Sequence, residues 1–113
     1  MVRVKSQVVA PGVTSKSPAP GAKRVKRDRN VVAGFSEQVQ GVNKATLRLT
    51  NQKSGDKVKA KIIKLSGNRW RLDPKKNLKR HTDYRVRLIG AGSAIRDLSG
   101  NPLASTGWKF HTR

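Results

Sequence analysis

Apolar and charged residues alternate one for one in several short runs, and no apolar stripe keeps the roughly 3.6-residue period of a helix beyond a turn. Residues 84–112 carry this pattern most plainly: Tyr84, Val86 and Leu88 alternate with Arg85 and Arg87, and further on Trp108, Phe110 and Thr112 alternate with Lys109 and His111. Side chains two apart share one face of a strand, so each run predicts a buried face and a wet one. Between the runs Gly90-Ala91-Gly92-Ser93 breaks the alternation and Ile95 resumes it briefly. Asp97-Leu98-Ser99-Gly100-Asn101-Pro102 then supplies the short polar side chains, glycine and proline that favour backbone reversal. The segment predicts two antiparallel strands joined by a long, turn-rich connection.

The rest of the chain reads the same way. Pro11, Pro18 and Pro20 leave room only for a short edge strand through Val13 and Ser15. Lys23-Arg24-Val25-Lys26-Arg27-Asp28-Arg29 holds five cations and one acid, and self-repulsion should keep it solvated in a loop or exposed edge. Val31, Ala33 and Phe35 predict a strand running out through Ser36-Glu37-Gln38-Val39, and Leu47 and Leu49 mark another. Asn51-Gln52-Lys53-Ser54-Gly55-Asp56 is a turn cluster. Lys57-Val58-Lys59-Ala60-Lys61-Ile62 alternates with its three lysines on one face; Ile63 and Leu65 then fall out of phase, as at a bulge. Ser66-Gly67-Asn68 reverses the chain into Arg69-Trp70-Arg71-Leu72-Asp73-Pro74, and in the cationic loop beyond it Leu78 is the apolar plug. About seven short strands at this spacing predict an all-β sandwich. Its expected core is Val31, Phe35, Leu47, Leu49, Val58, Ile62, Trp70, Leu72, Tyr84, Val86, Leu88, Trp108 and Phe110.

The 113 residues amount to one domain, with residues 1–10 expected as a linker or disordered N-terminal tail and residues 11–113 as the folded unit, monomeric in isolation. No cysteine is present, so neither a disulfide nor a thiolate metal site is available. Residues 1–10 lack the apolar run of a signal peptide, and nowhere are there about 18 consecutive apolar residues for a membrane span. Lys and Arg number 26 against 6 acids, a formal charge of +20 that attracts polyanions.

Several segments in order carry a family resemblance. Pro11-Gly12-Val13, Ser17-Pro18-Ala19-Pro20-Gly21-Ala22 and Val31-Val32-Ala33-Gly34-Phe35-Ser36-Glu37-Gln38-Val39 come first. Trp70-Arg71-Leu72-Asp73-Pro74, Tyr84-Arg85-Val86-Arg87-Leu88, Ile95-Arg96-Asp97-Leu98-Ser99-Gly100-Asn101-Pro102-Leu103-Ala104 and Trp108-Lys109-Phe110-His111-Thr112 follow. Together they resemble the bacterial Ig-like domain of the S-layer-protein (SbsA) type over residues 11–113. The resemblance implies a seven-stranded immunoglobulin-like β-sandwich. It also implies a repeat or appended module beside neighbouring domains of a longer secreted or cell-surface chain, a spacer or adhesive unit and not an enzyme. The sequence departs from that family in carrying Arg48, Lys59, Lys61, Arg69, Arg71, Arg85, Arg87 and Lys109 at outward positions, and Gln38 where proline is common.

Reactive residue types form no expected site. Gly34-Phe35-Ser36-Glu37-Gln38 falls one glycine short of a nucleophile elbow and lacks its strand-to-helix context. His81 and His111 have no acidic cluster to complete a zinc site. Gly90-Ala91-Gly92 opens no helix to cradle a dinucleotide, and Asp97 is a single carboxylate where calcium takes about six to eight oxygens. Asp97 is instead expected to cap its own turn, with Gly100 at positive φ. No catalytic, cofactor or metal site is therefore expected.

The cations remain. In an Ig-like sandwich the third, sixth and seventh strands share a sheet, so Arg48, Arg85, Arg87 and Lys109 should project side by side from one outer face, with Lys57, Lys59 and Lys61 as a second cationic set. Like charges opposed across strands destabilise a sheet, a cost that an anionic partner would offset. The candidate partners are an anionic cell-wall polymer, an acidic polysaccharide, anionic lipid headgroups or nucleic acid backbone, held by charge without base readout. The bland alternative is a surface made basic for solubility. The first expectation is a non-enzymatic display module; the alternative is a polyanion-binding module acting through its Lys/Arg-rich sheet face.

Overall fold

A computed structural model describes residues 10–91 and 94–113, so the expected N-terminal tail, apart from Ala10, lies outside the described residues. The strands in order are β1 (Val13–Ser17), β2 (Val31–Phe35), β3 (Val39–Gln40), β4 (Leu47–Asn51), β5 (Ala60–Leu65), β6 (Arg69–Pro74), β7 (Asp83–Leu88), β8 (Arg96–Asp97) and β9 (Thr106–His111). Seven of them have five or six residues and build two antiparallel sheets, ordered β1-β2-β6-β5 and β4-β7-β9. That division into four and three strands is the constant-type immunoglobulin arrangement. The remaining two, β3 and β8, have two residues each and pair with one another, and Arg96 of β8 also bridges Pro102.

Alternation explains the packing. Leu47 and Leu49 of β4, Val86 and Leu88 of β7, and Val31 and Leu72 of the opposite sheet are almost wholly buried, while the residues between them stay partly or fully wet. Each such side chain contributes about 1.5–3 kcal/mol on leaving water, which outweighs the loss of outward charge spacing. In β7 and β9 Tyr84 lies opposite Phe110 and Val86 opposite Trp108, and the Tyr84 and Phe110 rings stack with centroids 5.8 Å apart.

Three expectations are corrected. The second strand stops at Phe35; Val39 belongs to β3 and pairs with Asp97. β5 pairs with β6 in unbroken register from Ala60 opposite Pro74 to Leu65 opposite Arg69, so no bulge brings Ile63 and Leu65 inward. They share the outer face of that sheet with Lys61, Arg69, Arg71 and Val32, all half-buried or exposed. Val58, Ile62 and Trp70, expected in the core, are only partly buried and pack against its margin. The bulge that does occur lies in the edge strand β1, between Val13 and Ser15.

The connection from β7 to β9 folds back over the end of the sandwich. The Ile95 amide donates to the Ile89 carbonyl and the Leu103 amide to the Ile95 carbonyl, each at 3.0 Å, placing Ile95 and Leu103 in the core. At the opposite end Leu78 is buried, its amide donating to the Arg27 carbonyl at 2.7 Å, while Arg27 Nε donates back to the Leu78 carbonyl at 2.8 Å. The cationic run of residues 23–29 thus stays exposed except at Val25, which bridges to Thr112.

A candidate anion-binding face

Register places the cations. Across β4-β7-β9, Arg48 lies opposite Arg87 and Arg87 opposite Gly107, while Thr50 lies opposite Arg85 and Arg85 opposite Lys109. Residues directly opposed across antiparallel strands point to the same side of a sheet. Leu47, Leu49, Tyr84, Val86, Trp108 and Phe110 face the core, so Arg48, Arg85, Arg87 and Lys109 all take the outer face.

The three lysines expected together do not share a face. After the turn at residues 51–56 the chain first runs along β4, Lys57 bridging Thr50 and the Val58 amide donating to the Leu49 carbonyl at 2.7 Å. It then crosses to the other sheet, where Lys61 pairs with Asp73. Lys57 therefore extends the row Thr50, Arg85, Lys109, and Lys61 sits on the opposite side of the sandwich. Lys59, at the crossing, lines a cleft of about 380 Å³ with Lys44, Lys57 and Lys75. An even alternation conceals such a change of sheet, because it signals the period and not the partner strand.

The two outer faces differ in compensation. On the four-stranded sheet Arg71 Nε lies 2.9 Å from Asp73 Oδ1, a charge pair without hydrogen-bond geometry, and Ile63, Leu65 and Val32 dilute the charge. On the three-stranded sheet the acid is Asp83, at the end of the row, where its Oδ1 lies 2.8 Å from His111 Nδ1. Arg48 Nε donates to the Ala45 carbonyl at 2.7 Å, fixing its stem at the start of β4. Arg85 Nε is out of water without a hydrogen-bond partner among the described residues. Beside it Arg85, Arg87, Ser105 and Gly107 help to line a recess of about 210 Å³.

The remaining candidates resolve as local chemistry. Asp97, 3% exposed, accepts at Oδ1 from the amides of Ser99 at 3.0 Å and Asn101 at 2.8 Å, and at Oδ2 from Asn101 Nδ2 at 2.9 Å. The Asn101 side chain holds its carboxyl below the usual value, helped by the backbone amides and against the opposing effect of burial. Gly100 follows at φ 91°. Ser36 Oγ accepts from the Gly12 amide at 2.9 Å and holds the start of β1 to the end of β2. His81 lies in an exposed loop at φ 50°, and no cluster of metal-ligating residues occurs among the described residues.

Comparison with known proteins bears on the fold. The N-terminal part of the bacterial S-layer protein SbsC superposes with a TM-score of 0.66 at 14% identity, over 96% of this chain and 24% of that one. PcoC, a methionine-rich copper resistance protein from Escherichia coli, gives 0.65 at 18% identity, over 93% of this chain and 100% of that one. The LD-transpeptidase LdtMt1, solved in complex with imipenem, gives 0.58 at 20%, over 90% of this chain and 39% of that one. This chain thus spans about a quarter of the SbsC fragment. No curated protein sequence matches it. The sequence profile described as bacterial Ig-like domain matches residues 7–112, and the chain belongs to that family.

Proposed function

We propose that the domain is a non-enzymatic spacing and display module of a secreted or cell-surface bacterial protein. The observation that carries this reading is the family match over residues 7–112, joined to an S-layer protein sharing the fold across nearly the whole chain. A two-sheet sandwich presents its loops at two ends and its outer faces to solvent, which suits a repeated rigid unit in a longer chain. Antibody raised against the domain should label intact source cells or appear in their medium. Labelling only after lysis would overturn the surface assignment.

A second reading is favoured by the row Lys57, Arg85, Lys109 with Arg48 and Arg87 beside it on one outer face. In this reading the face holds an anionic polymer by charge. Binding to heparin or DNA should weaken steeply with salt. Replacing Arg48, Arg85, Arg87 and Lys109 by Ser should reduce it more than replacing Lys23, Arg24, Lys75 and Lys76. Equal losses from the two sets would leave only diffuse attraction by the charge of +20.

A further inference from the structure

We infer that the basic face contains a discrete phosphate subsite, the recess between Arg85, Arg87 and Ser105 that opens where Gly107 stands opposite Arg87. The inference rests on the anionic-polymer reading and narrows it from a charged surface to one pocket and one chemical group, the phosphate of a phosphodiester chain.

Three observations converge there. Arg87 faces Arg48 across one strand and a glycine across the other, so its second flank carries no side chain. A Cβ at residue 107 would collide with the Val86 carbonyl oxygen, so this backbone admits only glycine there, and Gly107 lines the recess of about 210 Å³. Arg85, which lines the same recess, has its Nε withdrawn from water with no acceptor among the described residues. A charged donor left without a partner is costly, and a phosphate held beside the guanidinium offsets that cost by its charge. Two arginines lining one pocket suit the tetrahedral oxygens of a phosphate better than lysines would, since a guanidinium offers a planar fork and an ammonium a point charge. Ser105 Oγ accepts from the Gly90 amide at 3.0 Å, which leaves its own hydrogen free to donate to a bound oxygen. The aromatic rings Tyr84, Trp108 and Phe110 of this sheet are buried in the core, so bases or sugar rings find no stacking platform there and the phosphate itself is the recognised group.

The test keeps the charge and changes the geometry. Isotopically labelled protein is titrated with inorganic phosphate and, separately, with single-stranded poly-dT and with heparin, following the Arg85 Nε–H resonance and the amides of residues 105–107. Saturable shifts of these signals with phosphate and poly-dT are expected. Arg85→Lys and Arg87→Lys, with folding checked by thermal unfolding, should each weaken both on the order of tenfold, the loss of a charge-assisted hydrogen bond. Lys75→Ser and Lys76→Ser should leave phosphate binding unchanged. If the Arg→Lys variants bind poly-dT as the parent does, the subsite fails while the polyanion reading stands. Phosphate binding that depends on these arginines, with poly-dT binding that does not, overturns the phosphodiester assignment and leaves a site for free phosphate. Heparin bound at the recess more tightly than poly-dT would overturn phosphate in favour of sulfate. No binding of any probe at low salt would overturn both the subsite and the polyanion reading.

Discussion

Trp108 Nε1 donates to the Pro18 carbonyl oxygen at 2.7 Å, joining β9 to the end of β1 across a separation of 90 residues. The contact reaches between the two sheets, and the indole is only 5% exposed. Trp108→Phe keeps an aromatic ring but strands a buried acceptor and removes packed atoms. It should cost about 2–4 kcal/mol, combining the desolvated carbonyl with the cavity left behind. Urea unfolding monitored by circular dichroism measures the loss; a change below about 1 kcal/mol would mean that water takes over the bond.

Thr112 fixes the β6–β7 loop in a similar way. Its Oγ1 donates to the Lys79 carbonyl at 2.6 Å and accepts from the Thr82 amide at 2.9 Å, with the residue fully buried. The Lys79 amide donates to the Tyr84 hydroxyl at 2.8 Å, so both polar groups of that residue's backbone are held by side chains. Thr112→Val preserves shape and removes every hydrogen bond of the hydroxyl. A loss of about 2–4 kcal/mol is expected, larger than the roughly 1–2 kcal/mol for Tyr84→Phe, which strands a single donor. Equal stabilities of the variants and the parent would show that the loop rearranges to solvate its own backbone.

What was legible in the chain follows from these contacts. Period-2 alternation marks β2, β4, β6, β7 and β9, where burial of one face writes itself into residue order; it leaves β1 conditional and puts the lysine run at 57–62 against Ala60–Leu65. It gave no sign that Ile95 and Leu103 enter the core, since they sit in an irregular connection whose hydrogen bonds to Ile89 and to each other leave no period. The phase of Ile63 and Leu65 was misleading: an outer face that tolerates half-buried apolar residues between Arg69 and Arg71 looks in sequence like an inward one. The grouping of Arg48, Arg85, Arg87 and Lys109 follows from the fold, whereas the close approach at Gly107 and the crossing of residues 57–60 between sheets are set by backbone contacts that leave no mark in residue order.

Acid should expose the contribution of Asp97. Its folded pKa lies below the ordinary value of 3.8 because Asn101 and the turn amides favour the carboxylate. The carboxylate's stabilising effect is therefore complete above the unfolded value and is lost as pH falls through the folded one. Asp97→Asn should be less stable than the parent at neutral pH by a gap that stays constant down to about pH 5 and closes below it. Stability measured by urea unfolding across that range checks the sign; a gap that widened in acid would contradict it.

The opposition of Arg48 and Arg87 predicts a salt response. Two cations directly across an antiparallel pair cost a few tenths of a kcal/mol to about 1 kcal/mol, and the charge of +20 adds a general repulsion. Sodium chloride should therefore raise the melting temperature of the parent between low and about 1 M ionic strength, where the Debye length shrinks to about 3 Å. Arg87→Glu converts the repelling pair into an attracting one while leaving the Arg48–Ala45 bond untouched. At low salt it should be more stable than the parent by about 0.5–1 kcal/mol, and the advantage should vanish at high salt. The same variant should bind phosphate and poly-dT worse than the parent, because the recess loses one guanidinium and gains a carboxylate. A gain in stability together with that loss of binding is the pattern expected of a face whose repulsion serves a ligand. A loss of both would mean instead that Arg87 supports the sheet.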